Sequence, residues 1–158
     1  HWCESFDKFY FLKDTSCDLA QLKAKADIIR GSKIKIFNAN TATLLPSLKY
    51  GIEGYSGVMG NFHPELYGWL IRNWKNQPVS AEKLQNFLSL SSVIERQFYP
   101  VNAKYFLRLE GIDIELYSRT QDCENFQSSF KLEVEQFRSL SRKYTKEYGK
   151  EKMLYSEK

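Results

Sequence analysis

Lys13 stands at the end of a short apolar run, where a predicted strand gives way to a polar turn. An amine in that position is expected to be partly desolvated, which favours its neutral form. A neutral amine can attack a ketone, form a carbinolamine and lose water to give an imine. The protonated imine withdraws electrons from the adjacent carbon, so that bonds to this carbon can be made or broken. The alternative is a lysine whose stem follows the strand while its ammonium reaches solvent.

A second polar turn spans residues 38–41 and offers two amides and a hydroxyl without any charge. Such groups can hold a substrate's hydroxyl or carboxylate groups, or they can cap the helix that follows. We expect Thr41 to cap that helix.

A third turn, residues 56–61, is rich in glycine. Glycine lets the backbone approach a ligand closely, although Gly57 and Gly60 are equally compatible with tight packing of a strand on a helix. His63 precedes Pro64, and we interpret it as a residue at a helix start rather than as a general base.

The elements that carry these turns alternate between strand and helix. Strands are predicted at 8–12, 33–38 and 53–58, and helices from Asp18 to Gly31, over 41–51 and from Pro64 onward. Three strand–helix units with short connections predict parallel strands joined by right-handed crossovers.

The second half of the chain has only helical patterns. We predict a helix capped by Ser80, a shorter one over 101–110 that ends at Gly111, and a last one from about 123 to 148. The last helix has apolar residues at spacings of three and four, which we interpret as a packing stripe rather than a cofactor site. These residues are Phe126, Phe130, Val134, Phe137, Leu140, Tyr144 and Tyr148.

Composition argues against several classes of protein and of site. The three cysteines are odd in number and far apart, so we expect no disulfide framework, a reducing compartment and a cytoplasmic protein. Two histidines and no paired cysteine motif make a zinc site unexpected. No apolar stretch is long enough for a membrane span, and the first residues lack the order of a signal peptide. The absence of an initiator methionine suggests a start within a longer gene product.

The net charge is +4, and three of those charges lie from residue 131 onward. A basic terminal helix could contact nucleic acid in a salt-dependent manner. Because glutamates are interleaved with the lysines and arginines, we expect a solvated helix face and no nucleic-acid partner.

Four segments resemble, in chain order, the dihydrodipicolinate synthase and N-acetylneuraminate lyase family. FYFLKDTSCD is similar to the family's sixth strand, IFNANTATLL to the turn after the seventh, and LKYGIEGYSGVMGNFHPEL to the segment around the eighth. Pro100, Lys104 and Gly111 match a proline–lysine–glycine signature in the family's helical extension. The match runs from about residue 1 to about residue 112.

The resemblance implies an α/β fold: the last three βα units of a (β/α)8 TIM barrel in residues 1–78, and a C-terminal helical extension in residues 79–158. It implies that Lys13 is the imine-forming lysine of a class I aldolase-type lyase or synthase. The partners would be pyruvate or a related 2-keto acid and an aldehyde-like substrate, with no cofactor and no metal. A homo-oligomer is also expected.

The same resemblance suggests substrate-binding positions. Ser56 and Gly57 match the backbone beside the bound keto acid. The positions at which the sialic-acid branch binds its sugar correspond to Asn38, Asn40, Thr41 and Val58. That branch has two acids and a serine where this chain has Asn40, Thr41 and Val58, which argues against a sialic-acid lyase. The synthase branch has Gly-Asp-Asp at the same turn and is not matched either, so the second substrate stays open.

Two functions therefore remain in competition. The first is a fragment of a pyruvate-dependent lyase or synthase, because the family's tyrosine relay and its paired threonines belong to earlier strands that have no match here. The second is a non-catalytic module that binds a keto acid or dimerises through an open sheet edge.

Overall fold

A parallel sheet of three strands forms the first part of the protein in a computed structural model that describes residues 8–149. The strands are β1 (Phe11–Asp14), β2 (Lys35–Asn38) and β3 (Gly54–Tyr55), in the order β1-β2-β3. Both neighbouring pairs are parallel, as the alternation of strand and helix predicted. Leu12 is paired with Ile36, and Asn38 with Tyr55. The α/β character of this region is therefore confirmed.

The first strand begins three residues later than the sequence indicated and ends two residues later. It was predicted at 8–12, where the apolar residues are densest, but β1 begins at Phe11 and includes Lys13 and Asp14. These two polar residues extend the strand because they pair with Phe37 and Asn38 of β2. Pairing with a neighbouring strand, rather than local apolar content, sets the ends of a strand.

One face of the sheet is covered by helix α1 (Leu19–Ile29). The helix begins as predicted, since the Asp18 carboxylate accepts hydrogen bonds from the backbone amides of Ala20 and Gln21. It ends before Gly31, whose φ of +83° is in the left-handed region. The core between helix and sheet consists of Leu12, Leu19, Leu22, Ala26, Ile29, Ile36 and Ile52.

Three further helices follow in this half of the chain. They are α2 (Leu44–Leu48), α3 (Pro64–Asn73) and α4 (Pro78–Ser91). The prediction for Pro64 is confirmed, because it is the first residue of α3. The prediction that Ser80 caps the next helix is wrong: α4 begins at Pro78, since a proline fits the first helical turn without loss of a hydrogen bond.

Helices are the regular structure of the remainder, as predicted, but the last of them begins at Ser128 rather than near residue 123. A 3-10 segment (Ser92–Arg96) leads to α5 (Val101–Leu109), and a second one (Cys123–Asn125) precedes α6 (Ser128–Tyr148). The packing stripe of α6 is confirmed at Val134, which is fully buried, and at Tyr148. It is wrong at Leu140, which is 45% exposed.

Contacts divide the chain into two compact units. One comprises His1–Gly57 with Leu70–Leu88, and the other Val58–Trp69 with Ser89–Lys158.

No helix within residues 8–149 is long and apolar enough to cross a membrane. Cys17 and Cys123 are free thiols, whereas His1, Cys3 and the last nine residues lie outside the described part of the chain.

Candidate active site

Lys13 is the third of the four residues of β1, next to the carboxyl end of the strand. Side chains alternate between the two faces of a strand, and Leu12 contacts the core under α1. The side chain of Lys13 therefore lies on the opposite face from α1. It is exposed, so the expected partial desolvation of its amine is wrong for the chain as described.

The face that carries Lys13 also carries aromatic side chains. Phe11 lies two residues earlier on β1, and its ring centroid is 4.8 Å from that of Phe37, the residue paired with Lys13. Phe11 is 50% exposed. On the same face, Lys35 forms an ion pair of 2.9 Å with Glu53. The amine of Lys13 thus lies beside an aromatic surface that reaches solvent.

Asp14 follows Lys13 and points to the other face, where it is buried. Its carboxylate accepts hydrogen bonds from the backbone amide and the hydroxyl of Ser16, at 2.9 and 2.6 Å, and forms an ion pair with Lys25 of α1. Burial by itself raises the pKa of Asp14, but the bonds from Lys25 and Ser16 outweigh it and hold that pKa below 3.8. These contacts fix the turn after Lys13.

Asn38 ends β2 and is fully buried. Its side-chain amide donates hydrogen bonds to the hydroxyls of Thr43, at 2.9 Å, and Ser47, at 3.1 Å, and its carbonyl oxygen accepts one from the amide of Asn40. The polar atoms of Asn38 are thus engaged in shaping the turn into α2.

Asn40 and Thr41 complete the same turn. The Asn40 side-chain oxygen accepts a hydrogen bond of 3.0 Å from the backbone amide of Thr43, just before α2. Thr41 is 1% exposed, and its hydroxyl lies 2.9 Å from the hydroxyl of Tyr55 on β3. Asn40 therefore holds the start of the helix. The expectation that Thr41 caps this helix is wrong, because its N-cap is Thr43 and the Thr41 hydroxyl links the ends of two strands instead.

The turn after β3 is pressed against its neighbours at Gly57. A side-chain carbon at this position would collide with the hydroxyl of Tyr55 and the backbone oxygen of Ala39. Ser56, directly before it, donates its backbone amide to the carbonyl oxygen of Asn38 at 2.9 Å. Glycine is required here because the two turns approach each other closely.

Gln85 of α4 is a buried residue that the sequence analysis did not single out. Its amide nitrogen donates to the carbonyl oxygen of Thr41 at 2.8 Å, and its oxygen accepts from the backbone amide of Leu45 at 3.0 Å. The signal was present, since Gln85 occupies the same helical face as the buried residues Ala81, Leu84 and Leu88. A polar residue on an apolar helix face indicates a buried side chain that makes hydrogen bonds.

Val58 and His63 belong to the second unit. Val58 begins a 3-10 segment (Val58–Asn61) and is partly exposed. His63 directly precedes α3, as predicted, but it is also 1% exposed, and its Nδ1 lies 2.5 Å from the hydroxyl of Ser141 on α6. Burial lowers the pKa of His63 to about 3, so the imidazole is neutral near pH 7.

The structure brings the carboxyl ends of the three strands together through backbone bonds. The carbonyl oxygen of Asp14 accepts from the amide of Ala39, and that of Asn38 accepts from the amide of Ser56, both at 2.9 Å. Within residues 8–149 no three side chains of histidine, cysteine, aspartate or glutamate form a group that could hold a metal ion. The chemistry that this edge can supply is that of an accessible amine beside neutral hydrogen-bonding turns.

Comparison with known proteins gives two findings. The sequence profile of the dihydrodipicolinate synthetase family matches residues 5–136. No curated protein matches the chain at a significant level.

Solved structures share the fold. A 4-hydroxy-tetrahydrodipicolinate synthase from Methylacidiphilum fumariolicum SolV has 20% identity and a TM-score of 0.73, over 90% of this chain and 47% of that one. A prophage protein of the dihydrodipicolinic acid synthase family from E. coli K12, solved in complex with pyruvate, has 17% identity and a TM-score of 0.75, over 88% and 48%. The chain therefore spans about half the length of these solved relatives.

Proposed function

This chain belongs to the dihydrodipicolinate synthetase family, and we propose that it supplies the imine-forming part of an aldolase-type lyase or synthase. The substrate is pyruvate or a related 2-keto acid, and the second substrate is an aldehyde-like molecule. In this proposal the amine of Lys13 attacks the keto carbon, and water leaves as the imine forms. When a bond to the adjacent carbon breaks, its electron pair passes to the protonated imine and gives an enamine. When a bond forms, the enamine donates that pair to the carbonyl carbon of the aldehyde-like substrate, whose oxygen takes up a proton.

One observation carries the proposal: Lys13 lies near the carboxyl end of a parallel strand, on the face away from α1. In barrels built from parallel strands and helices, reactive side chains gather at this end of the strands. In a closed barrel the face away from the helices is the interior, so the amine would be enclosed by strands beyond those of this chain. That enclosure would supply the desolvation that the described residues do not.

The three neighbouring turns are proposed to form one wall of the substrate site. Ser56 and Gly57 would lie beside the keto acid, because they match the segment whose backbone lies beside it in the family. Asn40, Thr41 and Val58 would face the second substrate. Asn38 would act indirectly, since its amide is engaged by Thr43 and Ser47.

The fragment hypothesis is supported by coverage, since the chain spans 47% of the synthase to which it is similar. We propose that residues 1–78 provide the last three βα units of a (β/α)8 barrel and residues 79–158 a helical extension. The working protein would be a cytoplasmic homo-oligomer that needs no cofactor. Reduction of the imine by borohydride in the presence of pyruvate, followed by location of the adduct, tests the role of Lys13.

A second candidate function is an oligomerisation module that binds a keto acid without turning it over. It is favoured by aromatic residues at the start of β1, where Tyr10 is 57% and Phe11 50% exposed. Both candidates self-associate, so an assay of product release distinguishes them: a module of this kind labels with keto acid but does not release product.

A further inference from the structure

A cavity of about 630 Å³ lies within the second unit, and none of the residues proposed for imine chemistry is among those that line it. Segment 60–65, the end of α5 and the last third of α6 form its walls. Its volume is within the range of small-molecule sites, roughly 300–1,000 Å³. Neither the family match nor the proposed catalysis assigns it a role.

The floor of the cavity is apolar and uncharged. Phe62 and Phe106 are both nearly fully buried there, and their ring centroids are 5.1 Å apart in an edge-to-face arrangement. Beside them lies the buried pair of His63 and Ser141, in which the imidazole is neutral. An aromatic or branched aliphatic group would therefore contact this floor without displacing a charge.

The rim carries charges of both signs. Arg142 and Lys146 stand one helical turn apart on α6, and both are exposed. Lys146 forms no ion pair with any residue in the described range 8–149. Arg142 makes only a long contact, 3.5 Å, with Glu110. Two adjacent cations with so little pairing can take up a carboxylate from solution.

Acidic groups lie at the same rim. Glu65, in the first turn of α3, accepts a hydrogen bond of 2.8 Å from the hydroxyl of Thr145 and has no cationic partner among residues 8–149. Glu110 is held by Arg138 at 2.5 Å. Burial by itself raises the pKa of Glu110, but its bonds with Arg138 and its proximity to Arg142 outweigh this and lower that pKa, so the group stays ionised. A simple anion would meet repulsion from both carboxylates.

We propose that this cavity binds a small zwitterion, a free amino acid with an aromatic or branched apolar side chain. Its carboxylate contacts Arg142 and Lys146, its ammonium contacts Glu65, and its side chain lies on Phe62 and Phe106. This arrangement gives each rim charge a partner of opposite sign and covers the apolar floor. The site is independent of Lys13, so its test does not depend on catalysis.

Isothermal titration of L-phenylalanine into this chain measures the proposed binding. Ligand-efficiency limits place the expected Kd on the order of 0.1–1 mM. Two analogues dissect the charges: 3-phenylpropionate lacks the ammonium and 2-phenylethylamine lacks the carboxylate. Each is expected to bind at least about tenfold more weakly, because a charge at the rim then loses its partner. Equal binding of either analogue would overturn the zwitterion assignment.

Two matched variants locate the site. Lys146→Gln is expected to weaken binding of L-phenylalanine about tenfold, and Lys143→Gln, on the same helix but outside the cavity, by less than about twofold. Both positions are exposed, so both variants are expected to fold, which thermal unfolding verifies. Absence of binding at about 10 mM, well above the expected Kd, or equal effects of the two variants, would overturn the proposal.

Discussion

Lys13 and Asp14 are consecutive in β1, yet their side chains lie on opposite faces of the sheet. Asp14 is buried and paired with Lys25 of α1, whereas Lys13 is exposed beside Phe37. The carboxylate of Asp14 and its carbonyl oxygen each anchor the strand end, the first to the following turn and the second to Ala39. The backbone that carries the Lys13 amine is therefore held in place by contacts of Asp14 on the opposite face of the sheet.

Asp14→Asn is expected to destabilise the chain by about 1–2 kcal/mol at pH 7, because Lys25 and Ser16 lose a charged acceptor. The pKa of Asp14 is below 3.8 in the folded state, so its contribution is complete above that value and is lost as the pH falls through the folded pKa. Urea unfolding at pH 7 and pH 3 measures the difference between variant and parent. The prediction is wrong if that difference is as large at pH 3 as at pH 7.

Gly57→Ala is expected to destabilise the protein by about 1–3 kcal/mol, since its methyl group would meet Tyr55 and the carbonyl oxygen of Ala39. Gly60→Ala is the matched control, because nothing lies within 4 Å of the added carbon there. Thermal unfolding of both variants compares them directly. Similar losses at the two positions would mean that the close approach of the two turns does not constrain residue 57.

His63 predicts that the protein loses stability as the pH falls below 6.5. Its pKa falls from 6.5 to about 3 on folding, so below pH 6.5 the unfolded chain binds a proton that the folded chain does not. Stability is complete above pH 6.5 and is expected to fall by up to about 1.4 kcal/mol per pH unit toward pH 3. The measurement is urea unfolding between pH 8 and pH 4.

A double variant, His63→Phe with Ser141→Ala, isolates this effect. It removes both members of the buried hydrogen bond at once, so that neither leaves an unsatisfied partner. The variant is expected to lose most of the slope between pH 6.5 and pH 4, while His1 is unchanged in both proteins. A slope that persists in the double variant would assign it to another group.

Much of the secondary structure could be predicted from the sequence, because local signals and tertiary contacts agree there. Asp18 as a helix cap and Pro64 as a first helical residue are local signals, and both are confirmed. The bounds of β1 could not be predicted, since they depend on pairing with β2. For the same reason Lys13 lies within the strand rather than in the turn after it.

The hydrogen-bond partners of the candidate site were beyond sequence reasoning. Gln85 reaches Thr41 across forty-four positions, and Tyr55 reaches the same residue across fourteen. No local sequence pattern indicates contacts between residues so far apart in the chain. A glutamine on an apolar helix face does, however, indicate a buried side chain that makes hydrogen bonds. The exposure of Lys13 could not be predicted, because the desolvation of its amine depends on what covers the face of the sheet away from α1.

Borohydride trapping tests the imine assignment. The chain is incubated with pyruvate and sodium borohydride, so that hydride reduces any imine to a secondary amine, and peptide mapping then finds the added mass. We expect the adduct on Lys13, its loss in Lys13→Arg, and its retention in Lys35→Arg, a lysine on the same face of the adjacent strand. Equal modification of Lys13 and Lys35, or no adduct on Lys13 in a protein that also contains the remaining strands of the barrel, would show that this lysine is not the imine-forming residue.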